Sequence, residues 1–132
     1  MRHCFTAQER RKGVVKRWDP KTKDLSPFIR LLNVLPTNSG VRRRGIKIHI
    51  SAEKIRDKFQ AQRGRCLLSG LPLLKDRKSI YSMSLDRIDN CKDYTSENTR
   101  LVCKAVNMMR GELTDKELLK FCKALVKTMR VP

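Results

Sequence analysis

The segment 84-SLDRIDNCKDYTSENTRLVCKAVNMM-109 holds the residues best suited to chemistry: Asp86, Asp89 and Asp93 fall within eight positions, followed by Asn98 and Asn107. Carboxylate and amide oxygens are hard donors of the kind Mg²⁺ accepts, and that ion completes its shell with waters and substrate phosphate. A divalent ion held by Asp86 and Asn107 would stabilise the leaving oxygen of a phosphodiester. On spacing alone, the same two residues read equally well as a turn carboxylate and a surface amide.

The elements that must position these groups follow from periodicity. The spacing predicts a helix from Ser96 to about residue 110, ended by Gly111. Rotating it by about 100° per residue gathers Leu101, Val102, Ala105, Met109 and Asn98 on one side. Asn107 falls on the other, in a basic stripe of Arg100, Lys104 and Arg110 with Cys103 nearby. The two asparagines therefore cannot serve one ion from a regular helix. Asn107 is placed as the ligand, and Asn98 is suited to tying down the preceding loop by side-chain hydrogen bonds. The extended stretch 80-IYSMSLDRI-88 carries Asp86, and Asp93 reads as a turn residue.

Upstream, 26-SPFIRLLNVL-35 predicts a short helix with Ser26 as N-cap and Pro27 in the first position, stopped by Pro36 and 37-TNSG-40. Alternating Ile46, Ile48 and Ile50 predict a strand, with His49 on its polar face. Ser51 caps a helix over 52–63 that Gly64 stops, and 66-CLLSGLPLL-74 predicts a loop or tight hairpin. Thr114 and Glu117 form a capping box, with Leu113 and Leu118 as its hydrophobic staple, at the head of a last helix carrying Leu118, Cys122, Leu125 and Met129.

The 132 residues include 31 Lys and Arg against 13 Asp and Glu, a net charge of +18. Phosphate contacts release condensed counterions, so such a chain is expected to bind DNA or RNA with strong salt dependence. Residues 1–65 hold 18 basic and 5 acidic residues (+13), and residues 66–132 hold 13 and 8 (+5). Residues 1–24 thus read as a basic arm on the phosphate backbone. No run approaches the roughly 20 apolar residues of a membrane span, and the start lacks the apolar stretch of a secretory signal. With five cysteines at positions without framework spacing, the expectation is an intracellular protein, cytoplasmic or in the nucleoid, with reduced thiols.

The combination of 66-CLLSGLPL-73, 84-SLDRIDNCKDYTSENTRLVC-103 and Asn107 resembles the HNH endonucleases of the ββα-metal (His-Me finger) superfamily, especially small phage-type members. The lead-in 42-RRRGIKIHISAEKIRDKFQAQRGRC-66 resembles theirs too, and the likeness covers roughly residues 42–125. It implies an α+β fold: a small ββα-metal unit over 41–132, with flanking helices and a basic N-terminal arm and helix over 1–40. It also implies a metal-dependent DNA endonuclease using Mg²⁺ or Mn²⁺, with RNA as the other candidate partner and no membrane partner. Carried over by position, Asp86 and Asn107 are the metal ligands and Asn98 is the middle asparagine.

Two departures qualify the likeness. The family's Asp-His pair is Asp86-Arg87 here, and a guanidinium that stays protonated cannot act as general base. Arg87 would instead hold the scissile phosphate, leaving water activation to Asp89, to metal-bound hydroxide or to His49. The alternative is a catalytically silent nucleic-acid-binding protein on the same fold, for which Arg87 marks the loss of activity. In both readings Arg42, Arg43 and Arg44, together with Arg100, Lys104 and Arg110, contact the nucleic-acid backbone. Second, the family's two Cys-x-x-Cys pairs are reduced to Cys66 with Ser69 and Cys103 with Val106. Structural zinc needs four N or S ligands, so no zinc is expected and Cys66 and Cys103 should pack together in the core.

Overall fold

A computed structural model of the chain describes residues 23–35, 41 and 43–132. Residues 1–22 of the basic arm, the predicted helix stop at Pro36 and residues 37–40, and Arg42 lie outside the described residues. The elements, in order, are α1 (Ser26–Val34), β1 (Ile48–His49), α2 (Ala52–Ala61), β2 (Met83–Arg87), β3 (Tyr94–Thr95), β4 (Thr99–Cys103), α3 (Lys104–Arg110) and α4 (Asp115–Thr128). The class is mixed α+β, as the sequence indicates.

The centre is a two-stranded antiparallel sheet of β2 and β4, in which Met83 lies opposite Cys103, Leu85 opposite Leu101 and Asp86 opposite Arg100. Successive side chains in a strand alternate between faces. One face therefore presents Met83, Leu85, Leu101 and Cys103, and these join Phe28 of α1 and Ile55 and Phe59 of α2 in one core. Phe28 and Ile55 are fully enclosed, each stabilising the fold by about 1.5–3 kcal/mol. The other face presents Ser84, Asp86, Arg100 and Val102, and α3 packs across it. A mostly polar surface is thus held between the β2–β4 pair and α3.

The free edge of β4 is closed by a side chain. Gln62 of the turn after α2 donates through Nε2 to the Leu101 carbonyl at 2.8 Å and accepts the Leu101 N–H at 3.1 Å. This amide imitates one residue of a neighbouring strand. A separate parallel pair sets Ile48 of β1 beside Tyr94 of β3 and His49 beside Thr95.

Residues 96–103 correct the helix expected there, because the chain makes a turn at 96–98 and then strand β4, and helix begins only at Lys104. All five residues of β4 are buried, Arg100 included, so the strand lacks the alternation of exposed and buried residues that marks a half-buried strand. The β-branched Thr99 and Val102 favour the extended form. The strand predicted around Ile46, Ile48 and Ile50 shortens to Ile48–His49.

Several local signals match. Ser51 caps α2 by accepting the Lys54 N–H at 3.2 Å, and Gly64 follows the helix with a positive φ of 68°. The capping box closes in both directions: the Glu117 N–H donates to Thr114 Oγ1 at 3.2 Å, and the Thr114 N–H donates to Glu117 Oε2 at 2.8 Å. Helix α1 begins one residue earlier than expected, with Leu25 at the N-cap and the Ser26 N–H satisfied by Asp24 Oδ1 at 2.9 Å. Residues 66–71 form the tight turn, where the Cys66 N–H donates to the Leu71 carbonyl and the Gly70 N–H to the Cys66 carbonyl.

Candidate metal centre and nucleic-acid interface

Asp86 sits in the middle of β2 on the face covered by α3, and only 4% of it is exposed. Both carboxylate oxygens are taken. Arg100, directly across the sheet, donates from Nε to Oδ2 at 2.8 Å, and Arg110, at the end of α3, donates from Nη1 to Oδ1 at 2.8 Å. Asp115, in the first turn of α4, completes the group. It accepts both terminal nitrogens of Arg100, at 2.7 and 2.5 Å, and Nε of Arg110 at 3.1 Å. Arg110 spends its remaining donors on the carbonyls of Arg87 and Ile88, each at 2.6 Å. Two guanidiniums and two carboxylates thus cancel in charge, and the fork of Arg100 meets Asp115 bidentately.

This saturation decides how the site treats cations. Asp115 ahead of Asp86 holds the Arg100 guanidinium firmly protonated against the opposing effect of burial, and Arg100 in turn lowers the Asp115 carboxyl below its usual range. A divalent ion at the Asp86 carboxylate would stand beside two guanidiniums already bonded to its oxygens. Asp86 and Asp115 attract such an ion about as strongly as the guanidiniums repel it, so occupancy decides: an ion at Asp86 would have to displace a guanidinium already bonded to its oxygen. As arranged, the residues do not fit a metal ion. Among the described residues there is also no cluster of three His, Cys, Asp or Glu placed to hold one.

Asn107 reaches the same hairpin by another route. Its Nδ2 donates to Ser84 Oγ at 2.6 Å and to the Leu85 carbonyl at 3.4 Å. Asn107 therefore stands next to the segment that carries Asp86, with no bond to Asp86 itself. Its amide oxygen has no protein partner among the described residues.

Arg87 points to the opposite face of β2 from Asp86. Nη1 donates to the carbonyls of Asn90 and Lys92 at 2.8 and 2.9 Å, and the guanidinium lies 5.2 Å from the Tyr94 ring centroid. It fastens the loop between β2 and β3. Asn98 fastens the same loop from the other end, accepting the Asp89 N–H at 2.9 Å and donating to the Asp89 and Asp93 carbonyls at 3.0 Å each. The tether expected of Asn98 is present, although it acts from a turn before a strand rather than from a helix.

Asp89 directs Oδ1 to the N–H of Cys91 at 2.9 Å, inside its own turn. Asp93 accepts the Lys47 N–H at 3.0 Å and so links the loop to the β1 segment. His49 is exposed on β1 and makes no bond to any of these side chains. The fold therefore brings Asp86 together with Arg100 and Arg110, and Asn98 with Asp89 and Asp93, as two separate groups.

The proposed backbone contacts divide likewise. Arg43, Arg44 and Lys104 are exposed, and Arg44 pairs with Glu112. Arg100 and Arg110 lie inside the fold, bonded to carboxylates, rather than on a solvent-facing stripe.

Cys66 and Cys103 are both buried, with Ser69 N–H donating to Cys66 Sγ at 3.4 Å. Burial pushes the Cys103 thiol up and its neighbour Cys66 adds to the rise. At Cys66 burial is outweighed by hydrogen bonds from Ser69 and from the backbone of Cys103, Ser69 and Leu68, which bring that thiol below its ordinary range. The two thiols are therefore adjacent, as expected from their motifs.

Sequence reasoning missed Asp115 and Ser84. Asp115 reads as an ordinary acidic residue in a helix first turn, and nothing local reveals two arginines folding back onto it. No protein-family model matches the chain, and no curated protein or solved structure matches it.

Proposed function

We propose that the protein is a nucleic-acid-binding module on a ββα scaffold, acting without hydrolysis. The observation that carries this reading is the double occupation of Asp86 by Arg100 and Arg110, which puts fixed internal cations where a divalent ion would have to sit. The charge of +18 supports a polyanionic partner. A cavity of about 240 Å³ beside β2 adds a surface for it, since Arg30, Lys75, Arg77 and Lys104 line it against a single acid, Asp76. DNA is the partner put forward, with RNA the alternative. Phosphate contacts of this sort position a protein on a duplex without reading its sequence.

A metal-dependent endonuclease is the second reading. It is favoured by Asn107, whose amide oxygen has no partner among the described residues and which stands against Ser84 and Leu85, immediately before Asp86. In that reading Arg110 leaves Asp86 to make room for Mg²⁺ or Mn²⁺.

One experiment separates the two. Duplex affinity is measured between 50 and 200 mM salt, and supercoiled plasmid is incubated with Mg²⁺ or Mn²⁺. The binding module predicts an affinity loss of about a hundredfold over that range if roughly four phosphates are neutralised, with the plasmid intact. Nicking that disappears in Asn107→Ala would overturn this reading and establish the endonuclease. Salt-independent or absent duplex binding would overturn both.

A further inference from the structure

The cavity beside β2 combines two kinds of lining. Leu31 and Leu35 of α1, with Met83 and Leu85 of β2, give it an apolar wall, and Arg30, Lys75, Arg77 and Lys104 bring cations to the same space of about 240 Å³. Among the described residues none of these four cations is in an ion pair. Arg30 Nη2 donates to the Lys75 carbonyl at 3.3 Å, and Lys75 Nζ lies 5.3 Å from the Phe59 ring centroid, so both meet uncharged partners. Two acids stand near. Asp76 spends Oδ1 on the Lys78 N–H at 2.8 Å, and Asp24 is held low first by its bonds from Ser26 and then by the charges of Lys75 and Arg30. Four cations against two carboxylates leave the mouth of the cavity positive.

Ser84 adds one directional group to this lining. Its Oγ accepts Asn107 Nδ2 at 2.6 Å, so the hydroxyl keeps its own proton to donate.

We propose that the cavity receives one unpaired pyrimidine base of a bound single strand, with the ring on the apolar wall and the flanking phosphates on the four cations. The inference rests on the nucleic-acid-binding reading above and names what that site takes. Size, charge and hydrogen bonding select this occupant together. The space is smaller than the roughly 300–1,000 Å³ of pockets for drug-sized ligands, which suits a single ring. Guanidinium planes such as those of Arg30 and Arg77 stack on unpaired bases, and a ring carbonyl accepts from Ser84. An acyl chain would leave that hydroxyl without a partner. The chain's own residues 1–22 carry 7 basic and 2 acidic residues, and the cations at the mouth repel them. A base within a duplex is stacked and paired, so the strand must be single where it enters.

Fluorescence anisotropy on the full chain tests this by comparing oligothymidine with an abasic oligomer of the same length and charge. Oligothymidine is expected to bind about tenfold tighter. Ser84→Ala should reduce that preference to about threefold, the effect of one lost hydrogen bond, and leave the affinity for the abasic oligomer as it is. Unchanged circular dichroism verifies the fold of the variant. Photocross-linking of an iodouracil-bearing strand to the wild-type chain needs no variant, and its links are expected on residues that line the cavity. Equal affinity for the two oligomers would overturn the proposal and leave the nucleic-acid-binding reading standing. Links confined to other residues, or a full preference retained by Ser84→Ala, would do the same. Binding of neither oligomer would overturn both.

Discussion

The hairpin face under α3 and the outer face of α4 break the usual division between inside and outside in opposite directions. Under α3, two arginines that are at most 5% exposed are enclosed with Asp86, while on α4 the chain leaves Phe121, Leu125 and Val126 in solvent. The first arrangement holds because each buried charge meets an opposite one with hydrogen bonds in good geometry, the condition that offsets desolvation. The second meets no such condition among the described residues. Buried charge is thus completed within the fold, whereas the apolar strip of α4 has no counterpart among the described residues.

The largest expected effect comes from breaking the buried side of this contrast. Asp86→Ala removes one of the two carboxylates that Arg100 and Arg110 share and leaves Asp115 alone against two guanidiniums in the interior. The expected loss is about 3–5 kcal/mol of stability, read as a lower urea midpoint. A loss under about 1 kcal/mol would show that the carboxylate does not hold the arginines in place, and would return Asp86 to the role of an available ligand.

The next effect is smaller and local. Asn98→Ala removes three hydrogen bonds to the backbone of Asp89 and Asp93, leaving part-buried groups unpaired. About 1–3 kcal/mol is expected, with faster amide exchange over residues 89–93. Unchanged exchange there would mean that Arg87, from the opposite end, suffices to hold the loop.

These residues also show how much the sequence disclosed. The capping box of α4 was legible because both partners lie three residues apart and act through backbone groups of the same turn. The role of Asn98 was legible because its partners are five to nine residues away. Strand β4 was not, since Leu101, Val102, Ala105 and Met109 satisfy a helical period while the pairing that overrides it lies in β2, about 12 to 20 residues upstream. The same pairing explains why Arg100 and Arg110 were expected on a basic surface. Their destination depends on Asp86 and Asp115, which meet only once hairpin and helices have packed. The mixed α+β class was reached through resemblance, and the composition of the polar layer under α3 required the structure.

Asp115 tests the margin where the two regions meet, since it anchors α4 and touches both buried arginines. Its side chain is 47% exposed, so solvent screens the pairing and Asp115→Asn should cost no more than about 1 kcal/mol. The sign with pH follows from the lowered carboxyl, caused first by the hydrogen bonds from Arg100. A carboxyl lowered in the folded state adds stability above its ordinary value of 3.8, and that contribution disappears as pH falls through the lower folded value. The urea midpoints of wild type and Asp115→Asn should therefore differ at pH 7 and converge on acidification below about 4. A difference that persisted to the lowest pH would mean that Asp115 acts through the shape of its hydrogen bonds, with its charge immaterial. Asp86 would then be the one carboxylate whose charge matters to the two guanidiniums, leaving the layer with a net positive charge.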